Sequence, residues 1–428
     1  MELDLDRLRA LRVIGRGAMG TVFLVTRRCS DCDGDDPHSS LPPLFALKVV
    51  DKHSPSAKPD ADRRARWELN LLSRLTSAAG DGPGHPFLPS LLGSVETREL
   101  LAWAVPFCPG GDLHALRHSL SPDAAFSPAA IRFYLSELVD ALGHLHSLRV
   151  AYRDLKPENI LLQSSGHVTL TDFDLSRHLP PSTTSPSSAS SSASPVPPHP
   201  HDSRSRRRHR RHLTRIFALG GAASPAEADH HYHYHLKKAR SARVSPVSRR
   251  RPSFSCPPAG GDRSFSFVGT EEYVSPEVVR GEGHGFAVDW WALGVLAYEM
   301  SYGRTPFKGR NRKETFRNVL SRSPEFAGNR RCALTDLIER LLAKDPARRL
   351  GSAGGADEVR AHPFFGGVQW DLLSDVTRPP FLPPPLDDLE EAVTTALAED
   401  GGFDVRDYFK RLRQPPSPLG SSSSLTEF

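Results

Sequence analysis

Residues 152–159 read Tyr-Arg-Asp-Leu-Lys-Pro-Glu-Asn, a loop that sets a carboxylate (Asp154), an ammonium (Lys156) and an amide oxygen (Asn159) close together. In-line phosphoryl transfer beside a nucleotide needs that set: a carboxylate to orient an attacking hydroxyl and accept its proton, an ammonium to neutralise the moving charge, and an oxygen donor for a metal. Eight such residues also describe a polar surface turn. The choice between the two rests on what stands before and after them.

Upstream, Gly15-Arg16-Gly17-Ala18-Met19-Gly20 breaks two β-like runs between Leu11 and Val25. Glycines here allow a tight turn whose amides approach phosphate oxygens, and Val22 offers an apolar lid for a purine. A dinucleotide site has the same spacing but needs a helix next, whereas Thr21-Val22-Phe23-Leu24-Val25 reads as a strand. A second strand, Phe45-Ala46-Leu47-Lys48-Val49-Val50, embeds Lys48 among apolar neighbours. An ammonium there is costly without a partner, so it calls for a phosphate and a carboxylate. Glu68 is the candidate carboxylate, on a helix expected over residues 63–75 whose buried face is Leu69, Leu71, Leu72 and Leu75. Residues 100–107 read as a strand that stops at Cys108-Pro109-Gly110-Gly111-Asp112. The unpaired backbone at such an end suits adenine, through the Cys108 N–H and the Pro106 carbonyl. Ser127-Pro128 then opens a helix over about 129–148, with Ile131, Leu135, Leu138, Leu142 and Leu145 as its core stripe.

Downstream, Ile160-Leu161-Leu162 and Val168-Thr169-Leu170 form a hairpin leading to Asp172-Phe173-Asp174, where Asp172 is the second candidate metal ligand. Residues 264–277 carry Ser264 and Ser266 ahead of Val268-Gly269-Thr270, and a phosphate on Ser266 first, or Ser264 second, is expected to pair with Arg153. Asp289 opens a strongly apolar helix running to Met300, where an acid is best explained as a buried cap on the backbone amides of the 152–159 loop. A further helix is expected over 337–342, and Asp345-Pro346-Ala347-Arg348-Arg349-Leu350 supplies an Arg to pair with Glu277.

The 428 residues leave room for two or three domains, and 38 Pro is the one departure from an ordinary globular composition. No run approaches eighteen apolar residues, the N-terminus lacks the basic flank and apolar core of a signal peptide, and position 2 is Glu, which argues against myristoylation. The chain is therefore expected on the cytosolic side of membranes. Five scattered Cys exclude a disulfide framework, and the lone Cys29/Cys32 pair lacks the second pair a zinc site needs. The net charge of +5 is concentrated. Residues 180–263 are dominated by Ser, Pro, Arg and His, a composition expected to be disordered, with Arg/Lys clusters at 204–212, 237–240 and 248–251. Such clusters serve as nuclear import signals, as contacts to anionic lipid headgroups, or as solvated chain. The His/Tyr run at 230–235 is read as solvated loop, with metal capture as the alternative.

Taken in order and spacing, these motifs resemble the AGC group of serine/threonine protein kinases, by the 152–159 loop, the paired Trp290 and Trp291, and the C-terminal extension. Within that group, Asp172-Phe173-Asp174 in place of Asp-Phe-Gly and the long insertion before Ser264 look like the plant branch, group VIII, that includes the PINOID, UNICORN and oxidative-signal-inducible kinases. The short N-terminus with Leu5-Asp6-Arg7-Leu8 looks most like the UNICORN type. The resemblance implies a bilobal α+β fold, with a small lobe built on a five-stranded sheet, a larger mainly helical lobe, and ATP with Mg2+ between them. It implies a kinase domain over 11–365, interrupted by a polar loop at 27–43 and the basic insertion at 180–263, then an extension over 366–428. ATP contacts are expected at Ile14, Gly15, Arg16, Gly17, Ala18, Met19, Gly20, Thr21, Val22, Ala46, Lys48, Pro106 and Cys108; catalysis at Asp154, Lys156, Lys48 and Glu68; metal at Asn159 and Asp172.

The expected activity is γ-phosphoryl transfer to Ser or Thr of protein substrates in plant growth or stress signalling. Basic residues ahead of the target are expected to be read by Asp112, Glu158 and Glu299. Expected partners are protein substrates, a phosphoinositide-dependent upstream kinase and an anionic lipid surface; nucleic acid is not expected, and the chain is expected to be a monomer. Location is expected to be cytoplasmic, with the nucleus and plasma membrane open. Upstream recruitment normally uses a C-terminal Phe-x-x-Phe; here Leu425-Thr426-Glu427-Phe428 and the stretch 405–409 match it only in part. The competing reading is a pseudokinase-like scaffold that binds membrane or nuclear partners through the basic insertion, supported only by Asp174 and Ser275 in place of the common Gly and Ala.

Overall fold

The computed structural model pairs the N-terminal β runs as one antiparallel sheet, order β1-β2-β3-β5-β4. The strands are β1 (Leu8–Gly17), β2 (Gly20–Arg27), β3 (Leu44–Asp51), β4 (Gly93–Glu96) and β5 (Leu100–Pro106). The structure describes residues 1–17, 19–27, 41–54, 60–78, 84–120, 125–179, 269–326, 331–377, 379–382 and 402–413. Ala18, Cys29, Cys32, Ser264, Ser266, the run 230–235, the basic clusters and Leu425-Thr426-Glu427-Phe428 lie outside those residues.

β1 and β2 close as a hairpin with Gly17 opposite Gly20, and the chain leaves the glycines as a strand, so the dinucleotide alternative fails on its own criterion. Gly20 has φ +144°, and a Cβ there would stand 2.3 Å from the Val49 carbonyl oxygen, so no side chain fits. Side-chain alternation divides the sheet into two faces. Phe23, Val25, Phe45, Leu47, Val49, Ala102 and Ala104 share one buried cluster. Lys48 faces the other way, opposite Val22 on β2 and Trp103 on β5. On that second face Val50, Leu101 and Trp103 pack with Ala65, Leu71, Leu72 and Leu75 of helix α1 (Ala61–Ala78). Leu69 is only partly buried.

The C-terminal part is helical: α2 (Leu113–Leu120), α3 (Pro128–Ser147), α4 (Pro276–Val279), α5 (Ala287–Tyr302), α6 (Arg312–Ser321), α7 (Ala333–Leu341) and α8 (Gly355–Arg360). Ser127 caps α3 by accepting from the Ala130 N–H, Pro128 follows in the first turn, and the expected stripe from Ile131 to Leu145 is buried. α5 is apolar all round and buried as a core helix. Gly294 lets α7 approach it: a Cβ there would lie 2.8 Å from Leu341 Cβ. α7 starts at Ala333 rather than at the expected Leu337, because Cys332 and Thr335 form a reciprocal capping box one turn earlier. Between α3 and α4 the short pairs β6 (Val150–Ala151) with β9 (Arg177–His178), and β7 (Ile160–Leu162) with β8 (Val168–Leu170), frame the 152–159 loop.

Two further segments cover the sheet face turned away from α1. Ahead of residue 11, Leu3 and Leu5 are buried in that cluster and the Leu3 N–H donates to the Ser94 carbonyl. Near the C-terminus, Phe403 pairs with Ala10, and α9 (Val405–Arg413) follows. Val405 and Phe409 are buried, and Phe23 meets the rings of Phe403, Tyr408 and Phe409 edge-on at 5.1–6.0 Å. The stretch 405–409 is therefore one side of an amphipathic helix seated on the sheet, with Arg413 tying its end to Asp51 and Glu99.

Candidate active site

β3 delivers Lys48 and α1 delivers Glu68 to a common point: Lys48 Nζ donates to both Glu68 oxygens at 2.9 and 2.7 Å and to Asp172 Oδ1 at 3.0 Å. Burial works against the charged ammonium, but Asp172 and Glu68 outweigh it and hold the Lys48 pKa above its ordinary value. The same burial pushes Glu68 upward against the pull of Lys48. A single ammonium bonded to both oxygens of one carboxylate is the geometry of an ion pair, with Lys48 positive and Glu68 negative.

The catalytic-type loop is held from beneath. Asp289, 0% exposed, accepts from the Tyr152 N–H at 2.9 Å and the Arg153 N–H at 2.7 Å, as its place on an apolar helix suggests, and His146 Nε2 adds a contact at 2.8 Å. These anchors fix Arg153 at φ +72°, a left-handed conformation that a non-Gly residue adopts at a cost of about 1 kcal/mol. Asp154 Oδ2 accepts from Lys156 Nζ at 2.8 Å and Asn159 Nδ2 at 3.0 Å, and Oδ1 from Thr270 Oγ1 at 3.3 Å. Burial raises the Asp154 pKa and Lys156 opposes it, an environment that makes the carboxylate a better proton acceptor.

Asp172 sits at φ +59°, ψ +71°, and Phe173 behind it is fully buried. Asn159 directs both hydrogen bonds of its Nδ2 at Asp154, which turns its amide oxygen the other way. The Asp172 carboxylate and the Asn159 amide supply hard oxygens only, the chemistry that suits magnesium. Val22 and Ala46 lie on the Lys48 face of the sheet, with Gly15 paired to Val22 in the hairpin. Cys108 follows β5; burial pushes its thiol up to about 12, so it is protonated at neutral pH. Ile14 is 37% exposed and Thr21 is buried.

Glu158 lies near both Asp112 and Glu299 and raises the pKa of each, behind the larger effect of their burial. Their oxygens are not all open. Asp112 caps α2 through the Ala115 N–H at 2.6 Å, and Glu299 accepts from Tyr273 Oη at 2.7 Å with Arg117 Nη2 at 3.5 Å. Arg349 fulfils the expected pairing, donating twice to Glu277 at 2.7 and 2.9 Å.

Sequence reasoning misses several positions. Thr270 stands in its motif with no role of its own, yet its hydroxyl reaches Asp154. Arg64, one turn before Glu68, pairs with Asp174 at 2.5 Å, and Trp67 Nε1 donates to Ser176 Oγ at 2.9 Å. The i, i+4 spacing of Arg64 and Glu68 puts both on one helix face and is the available signal.

His284, 3% exposed, lines a cavity under this loop with Arg153, Thr270 and Ser275. Burial first, and then the Arg153 charge, lower its pKa to about 4. An unfolded His titrates near 6.5, so below that pH the unfolded chain gains a proton that the folded chain refuses, and stability falls until about pH 4. At pH 5 the loss from this residue should reach about 2 kcal/mol. Melting curves from pH 7 to 5 should therefore fall less steeply for His284→Phe than for wild type; parallel curves would remove His284 from the acid response.

A model of the protein kinase domain matches residues 8–198 and 257–365. The serine/threonine-protein kinase UCN of Arabidopsis thaliana is 53% identical over 417 residues, covering 97% of this chain and 93% of its own length. The serine/threonine-protein kinase UCNL of the same plant is 52% identical over 98% of this chain and 93% of its own length. The protein kinase PINOID of Oryza sativa subsp. japonica is 41% identical over 88% of this chain and 69% of its own length.

Proposed function

The chain belongs to the protein kinases, in their plant AGC serine/threonine branch, and from that premise we propose how its residues divide the work of moving the γ-phosphoryl of ATP to a Ser or Thr hydroxyl. The observation that carries the proposal is the Lys48 ammonium, within 3.0 Å of carboxylates from α1 and from the 172–174 turn at once. Lys48, oriented by Glu68, neutralises the nonreacting phosphates. Asp154 orients the substrate hydroxyl and takes its proton at a carboxylate oxygen, with Lys156 offsetting charge beside it and Thr270 steadying the second oxygen. Asp172 and Asn159 would hold magnesium, which when bound neutralises charge on the phosphate oxygens. The glycine hairpin and Val22 cover the nucleotide, and the backbone at Pro106 and Cys108 meets its base.

Neither Asp174 nor Ser275 removes a reacting group, so the scaffold reading has no site-based support. The test is transfer of labelled γ-phosphate to a Ser peptide with basic residues before the target, wild type against Lys48→Met. Transfer by wild type alone supports the proposal, and equal transfer by both removes Lys48 from it. Replacing the peptide's basic residues by Ala should slow transfer if the Asp112, Glu158 and Glu299 cluster reads them.

Control is proposed to act through the same loop. Arg153 lies near Arg177, Asp289 and Arg64; burial first, and then the two arginines against Asp289, lower its pKa to about 10, and a phosphate on Ser266 or Ser264 is proposed to pair with it. A phosphoinositide-dependent kinase is proposed to transfer that phosphate from ATP, acting on a monomer. The basic clusters of the insertion are proposed to hold the protein to anionic lipid, within a cytoplasmic pool that also reaches the nucleus. Full-length protein should bind phosphatidylserine vesicles in a salt-sensitive way, and deletion of residues 204–251 should abolish it. Unchanged binding after the deletion would make the insertion a spacer.

A further inference from the structure

Asp174 occupies the position where the common kinase pattern has glycine, and the structure shows what the carboxylate does there. It lies in the 3-10 turn Phe173–Leu175, 2% exposed at its side chain, and accepts from Arg64 Nη2 of α1 at 2.5 Å. Among the described residues the positive-φ non-glycines are Arg149, Arg153 and Asp172, so Asp174 makes no use of the freedom a glycine would bring. A turn that required positive φ at this position would be strained by its Cβ. Arg64 stands one helical turn before Glu68, so both project from one face of α1. On that face Trp67 also reaches across, donating to Ser176 just beyond the turn. Helix and turn are thus joined at three levels: Glu68 through Lys48 to Asp172, Arg64 to Asp174, and Trp67 to Ser176.

We propose that the Arg64–Asp174 pair is a positioning strap that holds the turn bearing Asp172 against α1, so that the site for magnesium-bound triphosphate stands assembled before the nucleotide arrives. A glycine in this place gives a turn free to swing; an aspartate paired to the helix gives one fixed to it. Neither strap residue touches the reacting atoms. Their effect passes through Asp172 and Glu68, so it should show in how strongly magnesium improves nucleotide binding. The inference rests on the kinase reading, because only that reading gives Asp172 a metal to hold.

The experiment measures the affinity of the full chain for adenylyl imidodiphosphate with magnesium and with chelator, for wild type, Arg64→Ala, Arg64→Lys, Asp174→Gly and the double variant Arg64→Ala/Asp174→Gly. Asp174→Gly is expected to weaken the magnesium-dependent binding by about tenfold, with the chelator value unchanged, and the double variant should be no weaker than either single one, as for two halves of one interaction. Arg64→Lys should recover most of what Arg64→Ala loses. If Arg64→Ala fails to fold because it strands a buried carboxylate, the Asp174→Gly and double variants still decide the matter. Wild-type magnesium-dependent binding in Asp174→Gly, additive losses in the double variant, or equal losses with and without magnesium would each overturn the strap. A wild-type chain that shows no magnesium-dependent binding would refute the kinase reading itself, and the strap with it.

Discussion

Asp154→Asn is expected to lower the turnover number of labelled phosphate transfer by about a thousandfold while leaving the protein folded. The amide keeps the shape of the carboxylate but cannot take a proton from the substrate hydroxyl, and a positioned general base contributes roughly 10²–10⁴ in rate. The local structure sharpens the expectation. Asp154 Oδ2 receives hydrogens from both Lys156 and Asn159, and Oδ1 receives one from Thr270, so every contact in place is made to an acceptor. An Asn can keep its Oδ1 toward Lys156 and Asn159 and turn its N–H2 toward Thr270, whose hydroxyl then accepts instead of donating, so no buried contact is left mismatched. Melting temperature should therefore stay close to that of wild type, and nucleotide affinity, set by Lys48, Asp172 and the glycine hairpin, should change little. A variant that transferred phosphate as fast as wild type would take Asp154 out of the mechanism.

The parts of this site that are legible in the sequence are those where a residue type makes no physical sense without a partner. Lys48 in an apolar strand demands a carboxylate, and Glu68 is there. Asp289 in an apolar helix demands amides, and those of Tyr152 and Arg153 are there. The strap is not readable in the same way: Arg64 on a helix face looks like any solvated arginine, and its partner is 110 residues on. Asp174 reads as a missing glycine, which says what the turn has lost and nothing of what the carboxylate has gained. The helix at 405–413 shows a similar limit. Val405, Tyr408 and Phe409 have helical spacing, but spacing does not say which side of the sheet will take them, and they cover the side opposite α1. Cys332 fails as a helix-start signal because the cap also needs its partner, Thr335, three residues on.

Breaking the Arg349–Glu277 pair should produce the largest loss of stability from a single substitution. Each residue is 1% exposed, and the guanidinium is fully committed: two bonds to Glu277, others to the carbonyls of Ala343 and Ala287, and its carbon lies over the Trp291 ring at 5.1 Å. Burial alone would raise the Glu277 pKa; the bonds to Arg349 outweigh it and leave the carboxyl below its ordinary value. Stability from that shift is present above the ordinary carboxylate pKa and is lost only as pH falls through the lower folded value, so it is fully in place at pH 7. Arg349→Met leaves Glu277 as an uncompensated buried charge, at a cost of about 3–5 kcal/mol, or a melting point lower by about 10 °C. Glu277→Gln keeps one acceptor and should cost less. The pair joins α4, which follows Thr270, to the loop after α7, so the damage should spread toward the Asp154 contact as lost activity at temperatures below melting. The double variant Arg349→Met/Glu277→Met separates two accounts. Recovery of most of the melting temperature would mean that the loss in Arg349→Met came from the stranded carboxylate. No recovery would mean that the carbonyls of Ala343 and Ala287 need the guanidinium as much as Glu277 does, and that Arg349 acts as a hub for backbone rather than as half of an ion pair.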